Sequence, residues 1–139
     1  MTNTSVTEDQ KSNLFELAIK AKDASYSPYS KFRVGAALLT ADDTLYKGCN
    51  VENASYGAAI CAERTAYVKA VSEGHREFKA LVVSSDQEDY ISPCGICRQF
   101  ISEFNKVDMP VYLLNSRGEA KETTMGRQPW VNYYLLLLG

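Results

Sequence analysis

Apolar residues recur at helical spacing first at Leu14, Leu17, Ala18 and Ala21, which predicts a helix over about residues 8–25 with Thr7 as its cap. "SYSPYSKF" (25–32), with Pro28 among serines, breaks it. "RVGAALLT" (33–40) and "TLYKGCNV" (44–51) read as two strands, and "ADD" between them as the turn of a hairpin. "ENASYGAA" (52–59) reads as a loop, and residues 60–72 as a helix that Gly74 ends. "KALVVSS" (79–85) is an unbroken apolar run, the mark of a strand covered on both faces. A loop over 86–93 and a helix over 94–104 follow, then strands "PVYLLN" (110–115) and "AKETTM" (120–125) around "SRG". The order α-β-β-α-β-α-β-β predicts a layered α/β sandwich.

The 139 residues fit a single domain over 1–139, with residues 1–10 expected to be mobile and 126–139 forming a tail of its own character. A chain of this size buries about two-thirds of its unfolded surface, enough for a core without staples. Apolar residues make up 45% and charged residues 23%, and the net charge is −2. With no long basic run, attraction to nucleic acid or to an acidic membrane is not indicated. The first residues, "MTNTSVTEDQKSN", are polar, unlike a secretory signal. No apolar run reaches the roughly 20 residues of a membrane span. The terminal "YYLLLLG" is too short for one and calls for burial in the fold or against another subunit. These features predict a cytoplasmic protein whose cysteines are reduced thiols rather than a disulfide framework.

Three of the four cysteines fall in two short stretches, "ICAER" (60–64) and "SPCGICRQ" (92–99). Cys94 and Cys97, three apart at a predicted helix start, share one face, and Cys61 opens another helix. Helix N-termini favour thiolate over thiol. Three thiolates gathered together repel unless a cation holds them, and zinc suits sulfur donors. Three protein ligands leave a tetrahedral zinc one open position, the arrangement in which water becomes nucleophilic near neutral pH. Glu63, in the first turn after Cys61, can move a proton between that water and a substrate. Arg64 and Arg98 follow Glu63 and Cys97 directly, and are expected to hydrogen-bond the thiolates and offset their charge.

Plainer readings compete. A CxxC pair at a helix start can be a redox pair. A structural zinc site needs a fourth ligand, for which Cys49 and His75 are the choices. Cys49 within a strand is more often a small buried hydrophobe, and His75 after a glycine a solvated loop residue.

Cys61-Ala62-Glu63 with Pro93-Cys94-Gly95-Ile96-Cys97 resembles the all-cysteine form of the zinc deaminase signature. "SPYSKFRVGAALL" (27–39), "GCNVENASYG" (48–57), "CAERTA" (61–66) and "SPCGICRQF" (92–100) extend the likeness to the small-subunit, tetrameric cytidine deaminases, over about residues 14–126. The resemblance implies a three-layer α/β/α sandwich around a five-stranded mixed sheet. It implies one zinc per subunit on Cys61, Cys94 and Cys97, with Glu63 shuttling protons. It implies that Asn50 and Glu52 bond the ribose 3′-hydroxyl. By the same resemblance the Ala62 backbone and Glu63 would read the pyrimidine edge, and the Ser92 carbonyl would face the departing amine. Phe32 would pack on the base, and Tyr56 would reach a sugar in a neighbouring subunit of a homotetramer.

The implied activity is deamination of cytidine and 2′-deoxycytidine, in pyrimidine salvage. Other readings are a deaminase of a related cytosine-like nucleoside or antibiotic, a polynucleotide-editing deaminase, against which the charge of −2 speaks, and a non-enzymatic zinc module with four protein ligands. The tail departs from the family, in which a late phenylalanine reaches the neighbouring site. No phenylalanine follows Phe104 here, and Trp130, Tyr133 and Tyr134 are the aromatic residues that could replace it.

Overall fold

A computed structural model describes residues 6–91, 95–105 and 108–124. Its elements are α1 (Glu8–Ala21), β1 (Val34–Thr40), β2 (Leu45–Cys49), α2 (Ala62–Ser72), β3 (Phe78–Ser85), α3 (Gly95–Ser102), β4 (Pro110–Leu114) and β5 (Ala120–Thr124), in the order that the periodicity predicts. Thr7 Oγ1 accepts from Gln10 N while Gln10 Oε1 accepts from Thr7 N, a reciprocal cap that fixes the start of α1. The helix stops at Ala21, short of the expected residue 25, and tightens into a 3-10 turn over Lys22–Ala24. α2 starts at Ala62 rather than at residue 60, because Ile60 pairs with Val51 as an isolated β-bridge.

The five strands form one mixed sheet in the order β2-β1-β3-β4-β5. The β3–β4 pair is parallel, with α3 in the connection, and the other pairs are antiparallel. Alternation along the strands divides the core in two. Ala36, Leu38, Leu81, Val83, Val111 and Leu113 face α2 and α3, against Ala66, Tyr67, Ala70 and Ile101. Ala37, Leu39, Ala80, Val82, Tyr112 and Leu114 face α1, against Leu14 and Ala18. The result is the expected three-layer α/β/α sandwich. "KALVVSS" lacks an apolar–polar alternation because β3 lies mid-sheet and is covered on both faces.

Two glycines let the helices approach. A Cβ on Gly48 would stand 2.5 Å from the Ala62 carbonyl oxygen and 2.6 Å from Ala66 N. One on Gly35 would stand 2.2 Å from the Ala18 carbonyl oxygen. The β1–β2 register pairs Gly48 with Ala36 and Gly35 with Cys49, so the first admits α2 on one face and the second α1 on the other.

Candidate active site

The end of the sheet where β1 begins and β2 and β3 finish is extended by three short stretches lying side by side. Tyr26 bridges Val51, and Val51 bridges Ile60. Val51 N donates to the Ile60 carbonyl at 2.9 Å, and Glu52 N to the Tyr26 carbonyl at 2.8 Å. Asn50 and Glu52 therefore flank the strand that runs beside Ile60, and Cys61 follows as the cap of α2.

Cys61 has extended backbone at φ −74° and ψ 155°, and Ala62 opens the helix, fully buried. Cys97, also fully buried, sits in the first turn of α3. The Arg64 guanidinium hydrogen-bonds both sulfurs. Burial works against its charge, but the Cys97 and Cys61 thiolates outweigh it and hold the arginine's pKa above the usual value. Arg64 also donates to the Ala59 carbonyl at 2.9 Å. Two cysteines 36 positions apart in the chain thus meet on one cation.

Glu63 is 4% exposed on the same first turn. Burial, with a smaller push from the Cys61 thiolate, raises its carboxyl from the ordinary range to about 7. A bound cation would draw it back down. One turn on, the fully buried Tyr67 packs edge-on to Phe78 and accepts from Asn105 Nδ2, fixing the helix that carries Glu63.

The Asn50 amide is oriented by the backbone. Its Nδ2 donates to the Phe32 carbonyl at 2.8 Å, and its Oδ1 accepts from Val34 N at 3.0 Å and from the Ser25 hydroxyl. The Phe32 carbonyl takes one of the two N–H donors of this amide, and the other makes no hydrogen bond among the described residues. Glu52 Oε1 accepts from Tyr29 N at 3.0 Å and Ser30 N at 3.1 Å, and Oε2 from the Ser30 hydroxyl. The hydroxyl and the two backbone donors hold its carboxyl below the ordinary value. Phe32 is half-buried beside this group. The family resemblance names Asn50, Glu52 and Phe32 but not Ser25 and Ser30, which the structure sets against them and whose only signal in the sequence is their place around Pro28.

Ser92 and Cys94 lie outside the described residues, as do Trp130, Tyr133 and Tyr134. The Tyr56 backbone is in a 3-10 turn (Tyr56–Ala58) and Arg98 is on α3, but their side chains are likewise outside the description. The two alternative fourth ligands are misplaced. Cys49 lies on the α1 face of the sheet, opposite Gly35, whereas Cys61 lies on the α2 face. His75 is beyond the C-terminal end of the 11-residue α2, about 16 Å along its axis from Cys61, with its Nδ1 3.7 Å from Asp42.

The family model for the "cytidine and deoxycytidylate deaminase zinc-binding region" matches residues 8–113. A cytidine deaminase of Sporosarcina psychrophila is 57% identical over 108 residues, covering 78% of this chain and 79% of that one. A cytidine deaminase of Halalkalibacterium halodurans is 48% identical over 112 residues, 81% of this chain and 85% of the other. A solved cytidine deaminase from Burkholderia pseudomallei superposes with a TM-score of 0.79 at 46% identity, over 83% of this chain and 92% of its own. The chain belongs to the zinc-dependent cytidine and deoxycytidylate deaminase family.

Zinc is the cofactor of that family, and the donors described here suit it: two thiols at helix N-termini, converging on one guanidinium beside a buried carboxyl. No group of three metal-binding side chains occurs among the described residues; Cys94, the third thiol expected, is outside them.

Proposed function

We propose that the protein is a cytidine deaminase that converts cytidine and 2′-deoxycytidine, with water, to uridine and 2′-deoxyuridine and ammonia, in pyrimidine salvage. Family membership supports the reaction class, and the names of the relatives support the nucleoside. The observation that carries the reading is the convergence of Cys61 and Cys97 on Arg64 beside buried Glu63.

In this reading Cys61, Cys94 and Cys97 hold zinc, and Arg64 and Arg98 offset the thiolate charge. Zinc, when bound, supplies the Lewis acidity that makes water a nucleophile near neutral pH. Glu63 takes a proton from the attacking water and delivers it to N3 as the C4–O bond forms. It then carries the second proton to the amino nitrogen as the C4–N bond breaks. A carboxyl raised by burial suits both transfers. The Ala62 N–H and Glu63 read the pyrimidine edge, and the Ser92 carbonyl faces the departing amine. Phe32 packs on the base, while Asn50 and Glu52 hold the 3′-hydroxyl.

A homotetramer with shared sites, to which Tyr56 and a tail aromatic contribute, belongs to the same proposal. Tyr26, Val51 and Ile60, joined by the β-bridges beside the site, are 54%, 41% and 43% exposed, an apolar cluster suited to a neighbouring copy. A fully active monomer in light scattering would refute shared sites. A cytoplasmic setting is proposed too: Cys49 is a free thiol, and no helix among the described residues is long and apolar enough to cross a membrane.

Ammonia release from cytidine, cytosine and cytidine monophosphate tests the substrate. Release from the nucleoside and not from the free base supports the ribose contacts. Release from cytosine alone would contradict them.

A further inference from the structure

We infer that Ser30 is a positioning residue that sets the plane of the Glu52 carboxylate for the sugar hydroxyl and ties it to the backbone of Phe32. The inference rests on the reading that Glu52 meets the sugar and Phe32 the base. Ser30 Oγ donates to Glu52 Oε2 and accepts from Phe32 N at 3.0 Å. One hydroxyl thus links the Glu52 side chain to the backbone of Phe32, the two residues that grip opposite ends of a nucleoside in this reading.

The geometry shows why this hydroxyl is needed. Both backbone donors, Tyr29 N and Ser30 N, converge on Oε1, which leaves that atom a pivot. The Ser30 hydroxyl alone, among the described contacts, holds Oε2 and stops the carboxylate turning about it. Asn50 differs, because the Phe32 carbonyl and Val34 N orient its amide from both ends whether or not Ser25 is present.

The backbone gives a second, independent sign. Lys31, between Ser30 and Phe32, has φ +61°, a left-handed conformation that a lysine keeps only when its surroundings hold it. Lys31 N donates to the Ser27 carbonyl at 3.0 Å on one side, and the Ser30 hydroxyl captures Phe32 N on the other. The turn brings the Ser30 hydroxyl and the Phe32 N–H together while that hydroxyl donates to Glu52.

Steady-state kinetics with 2′-deoxycytidine and its 2′,3′-dideoxy analogue test this, using Ser30→Ala, Ser30→Val, Ser30→Thr and Glu52→Gln. Ser30 is exposed, so its removal opens no cavity. Zinc content and thermal melting confirm that each variant is folded. Ser30→Ala and Ser30→Val are expected to raise KM for 2′-deoxycytidine about tenfold with kcat little changed, the pattern of lost uniform binding. The analogue without a 3′-hydroxyl should be unaffected, and Ser30→Thr should restore the native KM. If Glu52→Gln raises KM and Ser30→Ala and Ser30→Val do not, the inference fails and the sugar reading stands. An equal rise for both substrates would also overturn it, since that is loosening of the loop rather than loss of one hydroxyl contact. If Glu52→Gln itself leaves KM unchanged, the sugar contact is wrong and Ser30 has nothing to position.

Discussion

The Arg64 guanidinium hydrogen-bonds both Cys61 and Cys97, joining the start of α2 to the start of α3. Two thiolates facing each other need positive charge between or beside them, and this arginine supplies part of it from α2 itself. Its neighbour Glu63 is buried by the same packing. One turn of helix therefore carries an expected metal ligand, an expected proton carrier and an arginine placed to balance the thiolate charge.

Arg64→Ala should weaken zinc retention by about 10- to 100-fold, the usual cost of losing a partner that orients a metal ligand. Competition with a chromogenic chelator measures it. Arg64→Lys should recover only part of the loss, because an ammonium lacks the planar fork that reaches two sulfurs. Native zinc affinity in Arg64→Ala would show that the guanidinium does not support the metal.

Gly48→Ala and Gly35→Ala should separate stability from activity. Each added methyl meets helix backbone, and overpacking of this kind costs about 1–3 kcal/mol. Gly48 lies under Ala62 and Ala66 of α2, so its variant should also lose turnover as Cys61 and Glu63 shift. Gly35 lies under α1, and its folded, zinc-loaded variant should keep native turnover. Urea denaturation beside kcat on each variant checks both statements.

Asp86 gives the fold a dependence on acid. Its carboxyl is held below the ordinary value by hydrogen bonds from Arg33, then Lys22. The Arg33 Nε contact is 2.9 Å and that of Lys22 Nζ 3.3 Å. A carboxylate with a lowered folded pKa contributes stability that is complete above its unfolded pKa, about 3.9, and is lost as pH falls through the folded value. Asp86→Asn should therefore be less stable than the native protein at pH 7, and the gap should close below about pH 4. Urea midpoints of both proteins from pH 7 to pH 3 show whether it does.

Much of this architecture can be read from the pattern of apolar positions. The unbroken run at 79–85 marks a strand covered on both faces, and the helical spacing at Leu14, Ala18 and Ala21 supplies one of the layers. Arg64 stands out in the sequence because it shares the first turn after Cys61 with Glu63, and the structure sets it against the sulfurs of Cys61 and Cys97. The side-chain contacts that tie the loops down are different. Ser25 reaches Asn50 across 25 positions, Ser30 reaches Glu52 across 22, and Lys22 reaches Asp86 across 64. Such bonds leave no period in the sequence, since they depend on how loops are folded back on the sheet. Cys49 and His75 can be set aside as ligands only once the sheet face of one and the helix end of the other are known.

The most direct test of the central claim pairs zinc analysis with the loss of the ultraviolet band of cytidine, for the native protein and for Glu63→Gln. Glu63→Gln is nearly isosteric but cannot accept and release a proton at that site. The account predicts about one zinc per subunit in both proteins, loss of the band with the native protein, and a rate lower by at least about 100-fold with the variant. A zinc-loaded, folded Glu63→Gln protein that deaminates cytidine at the native rate would contradict the role of Glu63, and a zinc-loaded native protein that leaves cytidine unchanged would contradict the proposed function.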